Sequence, residues 1–307
     1  MSDSFHQEHE ADIPFIEEPD IEATLNATAT RNIDVLLLGE TGTGKDTLAL
    51  RIHHLSGRRG NFVAVNCAAI PESLAESQLF GVNMGAYTGA AQSRAGFIES
   101  AHLGTLYLDE IDSMPLSLQA KLLRVLECRG VERLGSTRFI PVDMRVIASA
   151  QQSLNEMVEH GAFRRDLYFR LNVVHINIPP LRHRRERIVP LFLNMIRQEA
   201  ESFDCPAPCP SGELIQQLLC HSWQGNVREL RSTAKRFVLG LTPLPAAVED
   251  FPYTQSNLKE RMQQIEKVMI EESLRRNAHS VDSVATELGV AKRTLYYRMK
   301  YLDILLR

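Results

Sequence analysis

IDVLLLGETGTGKD, Ile33 to Asp46, decides the fold: an apolar run of strand length runs straight into a glycine-rich turn and then into a helix-forming stretch. Glycine spacing of the form G-x-x-x-x-G-K is a loose pattern by itself. Between a strand and a helix it becomes a phosphate-binding loop. Gly39, Gly42 and Gly44 let backbone N–H groups of Glu40, Thr41 and Thr43 approach phosphate oxygens, the helix start adds a favourable dipole, and Lys45 supplies the point charge. The hydroxyl residue that usually follows the lysine to ligate Mg²⁺ is replaced by Asp46, and Thr47 is the next hydroxyl. Metal ligation at this end therefore rests with either Asp46 or Thr47.

Outward from that loop, strands and helices alternate. IDVLLLG is followed by a helix from Lys45 to Leu55, then NFVAVN, GTLYLDEI, a helix from Leu116 to Glu127, and DMRVIASA. Near-continuous apolar strands separated by helices predict an α/β core with a parallel sheet covered on both faces. After VVHINIPPLR the strands cease and a small helical lid is expected. The expected divisions are an acidic segment over 1–30 with a short helix around Ile21 to Asn26, the core over 31–183, the lid over 184–240, a proline-bearing linker over 241–257, and a basic helical domain over 258–307.

GTLYLDEID, Gly104 to Asp112, ends an apolar strand in adjacent acids. Such acids are commonly just solvated. Behind a phosphate loop in the same sheet they read as a hydrolytic pair, Asp109 holding Mg²⁺ and Glu110 polarising the attacking water. VDSVATELGVAKRTLYYRMK, Val281 to Lys300, carries apolar residues at helical spacing, a break at Gly289, and then a basic helix. It predicts a helix-turn-helix with Ala285, Leu288 and Leu295 in its core. Lys292, Arg293 and Thr294 would lie near base edges of double-stranded DNA, with Arg298 and Lys300 nearer the phosphates and Tyr297 also among the DNA-binding residues.

Composition sets limits without choosing a function. The 307 residues carry a formal charge of −4, so a DNA contact must come from a local patch. No window reaches the 18 or so unbroken apolar residues of a spanning helix, and the acidic N-terminus lacks signal-peptide order, which predicts a cytoplasmic chain with no membrane partner. Five irregularly spaced cysteines argue against a disulfide framework, and Cys205 and Cys209 lack the second pair of a zinc site.

With these residues assembled, the chain resembles bacterial enhancer-binding proteins, the AAA+ activators of sigma-54 RNA polymerase, over about Asn32 to Leu239. The resemblance implies an AAA+ P-loop NTPase fold with a helical lid, using ATP and Mg²⁺. GAYTGA, Gly85, Ala86, Tyr87, Thr88, Gly89 and Ala90, resembles the family's GAFTGA loop, whose tip touches sigma-54. By the same resemblance Asn66 is the switch residue that holds Glu110 inactive until nucleotide is in place. Arg164 and Arg170 match the arginine fingers that reach a neighbouring subunit's γ-phosphate, contributing roughly 10³ to 10⁵ in rate in other NTPases. Arg228 in WQGNVREL matches the lid arginine that senses nucleotide in its own subunit. Trans-acting fingers imply a ring, a hexamer as in the family, homomeric or heteromeric.

Arg129 to Asp143 resembles the second pore-side hairpin, and the C-terminal domain resembles the Fis-like module of these activators. At the first sensor position the family's Thr-Asn is replaced by Ala150 and Gln151. The absence of a receiver or ligand-sensing domain, together with GETGTGKD, ASAQQ and FRRDLYFRLNV, resembles the HrpS-like activators of type III secretion genes, governed by expression level and by regulatory proteins in trans. Two alternatives stay open: an AAA+ DNA remodeller, and an ATPase-impaired subunit of a mixed activator ring.

Overall fold

A computed structural model describes residues 19–87 and 92–244 and, further on, 262–263, 266–267, 269–271, 273–274, 277, 280–302 and 304. The chain divides into two compact units. One runs to Pro180 and includes Gly225–Arg228; the other comprises Leu181–Gln224 and the residues from Glu229 onward.

The first unit opens with α1 (Pro19–Thr28), β1 (Val35–Leu38), α2 (Lys45–Ser56), β2 (Phe62–Asn66), α3 (Glu72–Phe80) and α4 (Phe97–Ser100). It continues with β3 (Thr105–Asp109), α5 (Leu116–Cys128), the short strands β4 (Gly130–Glu132) and β5 (Phe139–Pro141), β6 (Arg145–Ala150), α6 (Leu154–Glu159), α7 (Arg165–Leu171) and β7 (Val174–Asn177). Five strands form one sheet in the order β2-β3-β6-β1-β7, and every pairing in it is parallel. The expected parallel sheet is present. All its carboxyl ends therefore lie along one edge, where ligands of open α/β sheets bind.

Strand side chains alternate between two cores, as a period of two requires. Leu36, Leu106, Leu108, Val146 and Ala148 pack on one face with Leu118, Leu122 and Leu126 of α5 and Leu167 and Leu171 of α7. Val35, Leu37, Tyr107 and Ile147 pack on the other with Ile21 and Leu25 of α1 and Leu48, Ala49 and Ile52 of α2. The predicted N-terminal helix is thus part of the core, extended to Pro19–Thr28. Its end is pinned by Arg145, fully buried, whose guanidinium donates to the carbonyls of Thr28, Ala29 and Ile33 at 3.2, 2.8 and 2.9 Å.

In the second unit, α8 (Arg185–Ser202), α9 (Gly212–Cys220) and α10 (Asn226–Val238), whose first residues count with the first unit, replace strands among the described residues. The Ser211 hydroxyl caps α9 by accepting from the Leu214 N–H at 3.2 Å. Trp223, fully buried, donates its indole N–H to the Leu218 carbonyl at 2.9 Å.

Farther on, the described residues between 262 and 274 are helical and precede α11 (Val281–Glu287) and α12 (Lys292–Tyr301). Gly289 at φ +65° makes the turn between them. Ala285 and Leu295 are buried and Leu288 packs beside them, with Val281, Val284, Met299, Ile270 and Leu274 completing the core. The expected helix-turn-helix is therefore supported by a preceding helical stretch the sequence reading did not resolve. Residues 245–261, which include most of the expected linker, and residues 1–18 lie outside the described residues. Among the described residues no helix is long and apolar enough to cross a membrane.

Candidate functional site

Three adjacent strands, β3, β6 and β1, bring the chemistry together at their carboxyl ends. β1 leads into the loop Gly39–Lys45, β3 into Asp109 and Glu110, and β6 into Gln151; Asn66 ends the neighbouring β2.

The loop is built for close approach. A Cβ on Gly42, at φ +74°, would lie 2.4 Å from the Gly225 carbonyl oxygen, so only glycine fits. The Val227 N–H donates to the Gly42 carbonyl at 2.9 Å, and the Asn226 amide donates to the Thr41 carbonyl at 3.0 Å and to Glu40 Oε2 at 3.3 Å. These contacts hold the Gly225–Arg228 segment, with exposed Arg228 at its end, against the loop. Buried Thr43 donates its hydroxyl to the Glu40 carbonyl at 2.8 Å. Lys45 is also buried, and its ammonium donates to the Gly39 and Glu40 carbonyls at 2.8 and 3.1 Å. Burial lowers the pKa of Lys45; Asp109, Asp46, Asp112 and Glu110 oppose that shift.

Asp46 opens α2, and Thr47 follows it, half-buried. The Tyr107 phenol stands 2.7 Å from Asp46 Oδ1 and 3.2 Å from Asp109 Oδ1, so its one proton is shared between two carboxylates. Burial first, and then the charge of Asp46, push that phenol well above its ordinary pKa, which keeps it a donor. Asp109 accepts further from the Ser149 hydroxyl at 2.5 Å and from the Asn66 amide at 3.1 Å. Hard carboxylate oxygens on both sides of a shared donor fit a small divalent cation.

Glu110 adopts a left-handed backbone, φ +53°, and its N–H donates to Ser149 Oγ at 3.2 Å. Its carboxylate accepts from the Gln151 amide at 2.6 Å, while Gln151 Oε1 accepts from the Thr41 hydroxyl at 2.7 Å. Asn66 is engaged elsewhere. The Asn66 amide donates to Asp109, its own oxygen accepts from the N–H groups of Ala68 and Ala69 at 2.9 and 3.0 Å, and the amide on Glu110 belongs to Gln151. The register explains the difference: Asn66 pairs with Asp109 across β2 and β3, one residue short of Glu110.

The two arginines behave differently. Arg164 is exposed and pairs with exposed Asp166 at 2.7 Å, flanking the start of α7. Arg170 is no exposed finger: it pairs at 2.7 Å with buried Asp34, which also accepts from the Val146 N–H at 2.9 Å, and it donates to the Leu126 carbonyl at 3.3 Å. Its charge is committed to locking α7 and α5 onto the sheet.

The GAYTGA segment is described as far as Tyr87, which is exposed; Thr88, Gly89 and Ala90 lie outside the described residues. Its stem is fixed on both sides. Val82 exchanges backbone hydrogen bonds with Arg94 at 2.9 and 2.8 Å, Asn83 N–H donates to the Leu134 carbonyl at 2.9 Å, and Leu134 N–H donates to the Gly81 carbonyl at 3.0 Å. Leu134 and Gly135 lie in the β4–β5 connection, so the hairpin buttresses the stem. A Cβ on Gly135 would meet the Ala86 methyl at 2.6 Å.

On α12, Lys292, Arg293, Thr294, Tyr297 and Lys300 are exposed, whereas Arg298 is half-covered. Lys292 pairs with Asp282 at 2.7 Å, and Arg298 makes a two-pronged pair with Glu266 beside the Tyr301 ring. Arg298 thus serves its own domain, which qualifies its expected place on DNA phosphate.

Tyr107, Ser149 and Asp34 were missed by the sequence reading. Tyr107 had a signal: it interrupts an apolar strand two residues before Asp109, so the pleat puts both on one face.

Comparison with known proteins places the chain in a family. Residues 18–177 match the sigma-54 interaction domain, residues 182–268 an AAA+ ATPase lid domain, and residues 261–302 a bacterial regulatory protein module of the Fis family. The pathogenicity locus regulatory protein WtsA of Pantoea stewartii is 55% identical over 98% of this chain and 92% of its own length. HrpS of Pseudomonas syringae pv. syringae is 55% identical over 93% of this chain and 95% of its own length. Among solved structures, NtrX of Brucella abortus in complex with ATP superposes with a TM-score of 0.69 at 32% identity, covering 95% of this chain and 70% of NtrX.

Proposed function

The chain belongs to the family of sigma-54-dependent transcriptional activators with a Fis-type DNA-binding module, and on that premise we propose that it hydrolyses ATP and spends the energy on moving the GAYTGA loop against the closed polymerase complex. The observation that carries this reading is the meeting of Lys45, Asp109 and Glu110 at the carboxyl ends of β1 and β3, in the same unit that pins the stem of the GAYTGA loop between Arg94 and Leu134.

In this reading the Gly39–Lys45 loop cradles the phosphates, Lys45 exchanging its carbonyl partners for β- and γ-phosphate oxygens. Asp109, with either Asp46 or Thr47, holds Mg²⁺, which when bound neutralises charge on the phosphates. Glu110 orients and deprotonates the attacking water, and Arg228 reports the nucleotide from the lid side. Exposed Arg164 reaches the site of a neighbouring subunit, so activity requires a ring, a hexamer, whether of one chain or of two related ones. The nucleotide complex of NtrX supports the nucleotide reading. The resemblance to WtsA and HrpS supports a target among pathogenicity, type III secretion genes.

ATP hydrolysis by the purified chain, with Glu110→Ala as control, tests the chemistry. Phosphate release from the native chain that Glu110→Ala abolishes is the expected result. Equal release from both would remove Glu110 from the reaction.

A further inference from the structure

Gln119 lies in the first turn of α5 and is fully buried, on a helix whose other buried residues, Leu118, Leu122, Val125 and Leu126, are apolar. Burying an amide there costs stability unless its hydrogen bonds are made. Its partners are backbone groups of two separate segments: Nε2 donates to the Met114 carbonyl at 2.8 Å and to the Ala162 carbonyl at 3.4 Å, and Oε1 accepts from the Arg164 N–H at 2.8 Å. Met114 closes the turn that begins at Glu110, in which the Ser113 N–H donates to the Glu110 carbonyl at 2.9 Å and the Met114 N–H to the Ile111 carbonyl at 3.1 Å. Gln119 thus staples the end of the Glu110 turn to the backbone that carries exposed Arg164.

We propose that Gln119 is a positioning residue that sets the reach of Arg164 into a neighbouring subunit's nucleotide site. This role rests on the reading of Arg164 as a trans-acting finger and adds what aims it. A guanidinium on a long, exposed side chain is delivered accurately only from a fixed backbone, and a misplacement of about 1 Å costs about 10²-fold in rate. The ion pair of Arg164 does not supply that anchor, because its partner Asp166, at 2.7 Å, stands two residues on in the same segment and moves with it. Buried Phe163 holds the segment through apolar packing, which is non-directional. The Gln119 bonds are directional, and they register the finger against the turn that carries the subunit's own Glu110.

The experiment measures ATP hydrolysis by full chains, alone and mixed. Gln119→Met, which matches the length of the side chain without its polar atoms, is expected to lower kcat about 10²-fold while KM changes less than about twofold. A Glu110→Ala subunit offers an intact finger and a dead site; an Arg164→Ala subunit offers the reverse. Mixing Glu110→Ala into Gln119→Met is therefore expected to raise hydrolysis about tenfold or more, and mixing in Arg164→Ala to raise it not at all. Native kcat in Gln119→Met, restoration by Arg164→Ala, or restoration by neither partner overturns the staple. Glu110→Ala mixed with Arg164→Ala is the control: no hydrolysis there defeats the finger reading itself, whereas hydrolysis there with the wrong pattern for Gln119→Met defeats only the role of Gln119. Hydrogen exchange in the native chain needs no variant to fold. The Arg164 amide is expected to exchange about 10²-fold slower than an unstructured amide, and exchange at the unstructured rate overturns the staple.

Discussion

Two glycine-bearing loops of the first unit use glycine for opposite purposes. In the phosphate loop, Gly39 and Gly42 stand where a side chain would strike the carbonyls of Ile178 and Gly225 at 2.9 and 2.4 Å. In the GAYTGA loop, Gly85 at φ +82° has open space where a Cβ would point. The first loop is held by a dense set of hydrogen bonds to its neighbours. Among the described residues of the second, hydrogen bonds to Arg94, Ser93 and Leu134 fix the stem. An energy-transducing chain needs that contrast: one end must fix phosphates to within a fraction of an ångström, while the other must change conformation without unfolding what supports it.

The largest expected effect lies at the fixed end. Glu110→Ala should lower hydrolysis by about 10² to 10⁴ while nucleotide binding persists, read by phosphate release and by equilibrium binding. Next, Gly42→Ala should abolish high-affinity nucleotide binding, because the added methyl cannot coexist with Gly225 and the left-handed backbone costs about 1–2 kcal/mol besides. Tyr107→Phe leaves Asp46 and Asp109 without their shared donor, and should raise the Mg²⁺ concentration for half-maximal hydrolysis by about tenfold. At the open end, Gly85→Ala carries only the backbone cost of about 1–2 kcal/mol, and should leave hydrolysis intact while slowing promoter opening. A Gly85→Ala chain with lost nucleotide binding would erase the contrast between the loops.

What could be read from the sequence follows the range of the interactions. β1, β3 and β6 are legible as unbroken apolar runs, and the residues that end them, Lys45, Asp109 and Glu110, come with them. The nine-residue α3 shows too little amphipathic contrast to stand out. Contacts between distant positions were illegible because the sheet order β2-β3-β6-β1-β7 decides them. Tyr107 meets Asp46 only because β3 packs beside α2; Arg170 meets Asp34 only because α7 returns to the start of β1. The length of Gln151 was visible, but its use required knowing that the ends of β6, β3 and β1 lie together. The family pattern points to Asn66 as the amide beside Glu110, whereas the amide that contacts Glu110 is that of Gln151, since one residue of register separates Asn66 from Glu110.

The central claim, that hydrolysis at the fixed loop drives sigma-54 through the open one, is tested most directly by promoter opening with purified sigma-54 RNA polymerase. The native chain is predicted to open the promoter with ATP and not with a non-hydrolysable analogue, and Thr88→Ala to hydrolyse ATP yet open nothing. Opening without hydrolysis, or normal opening by Thr88→Ala, would contradict it.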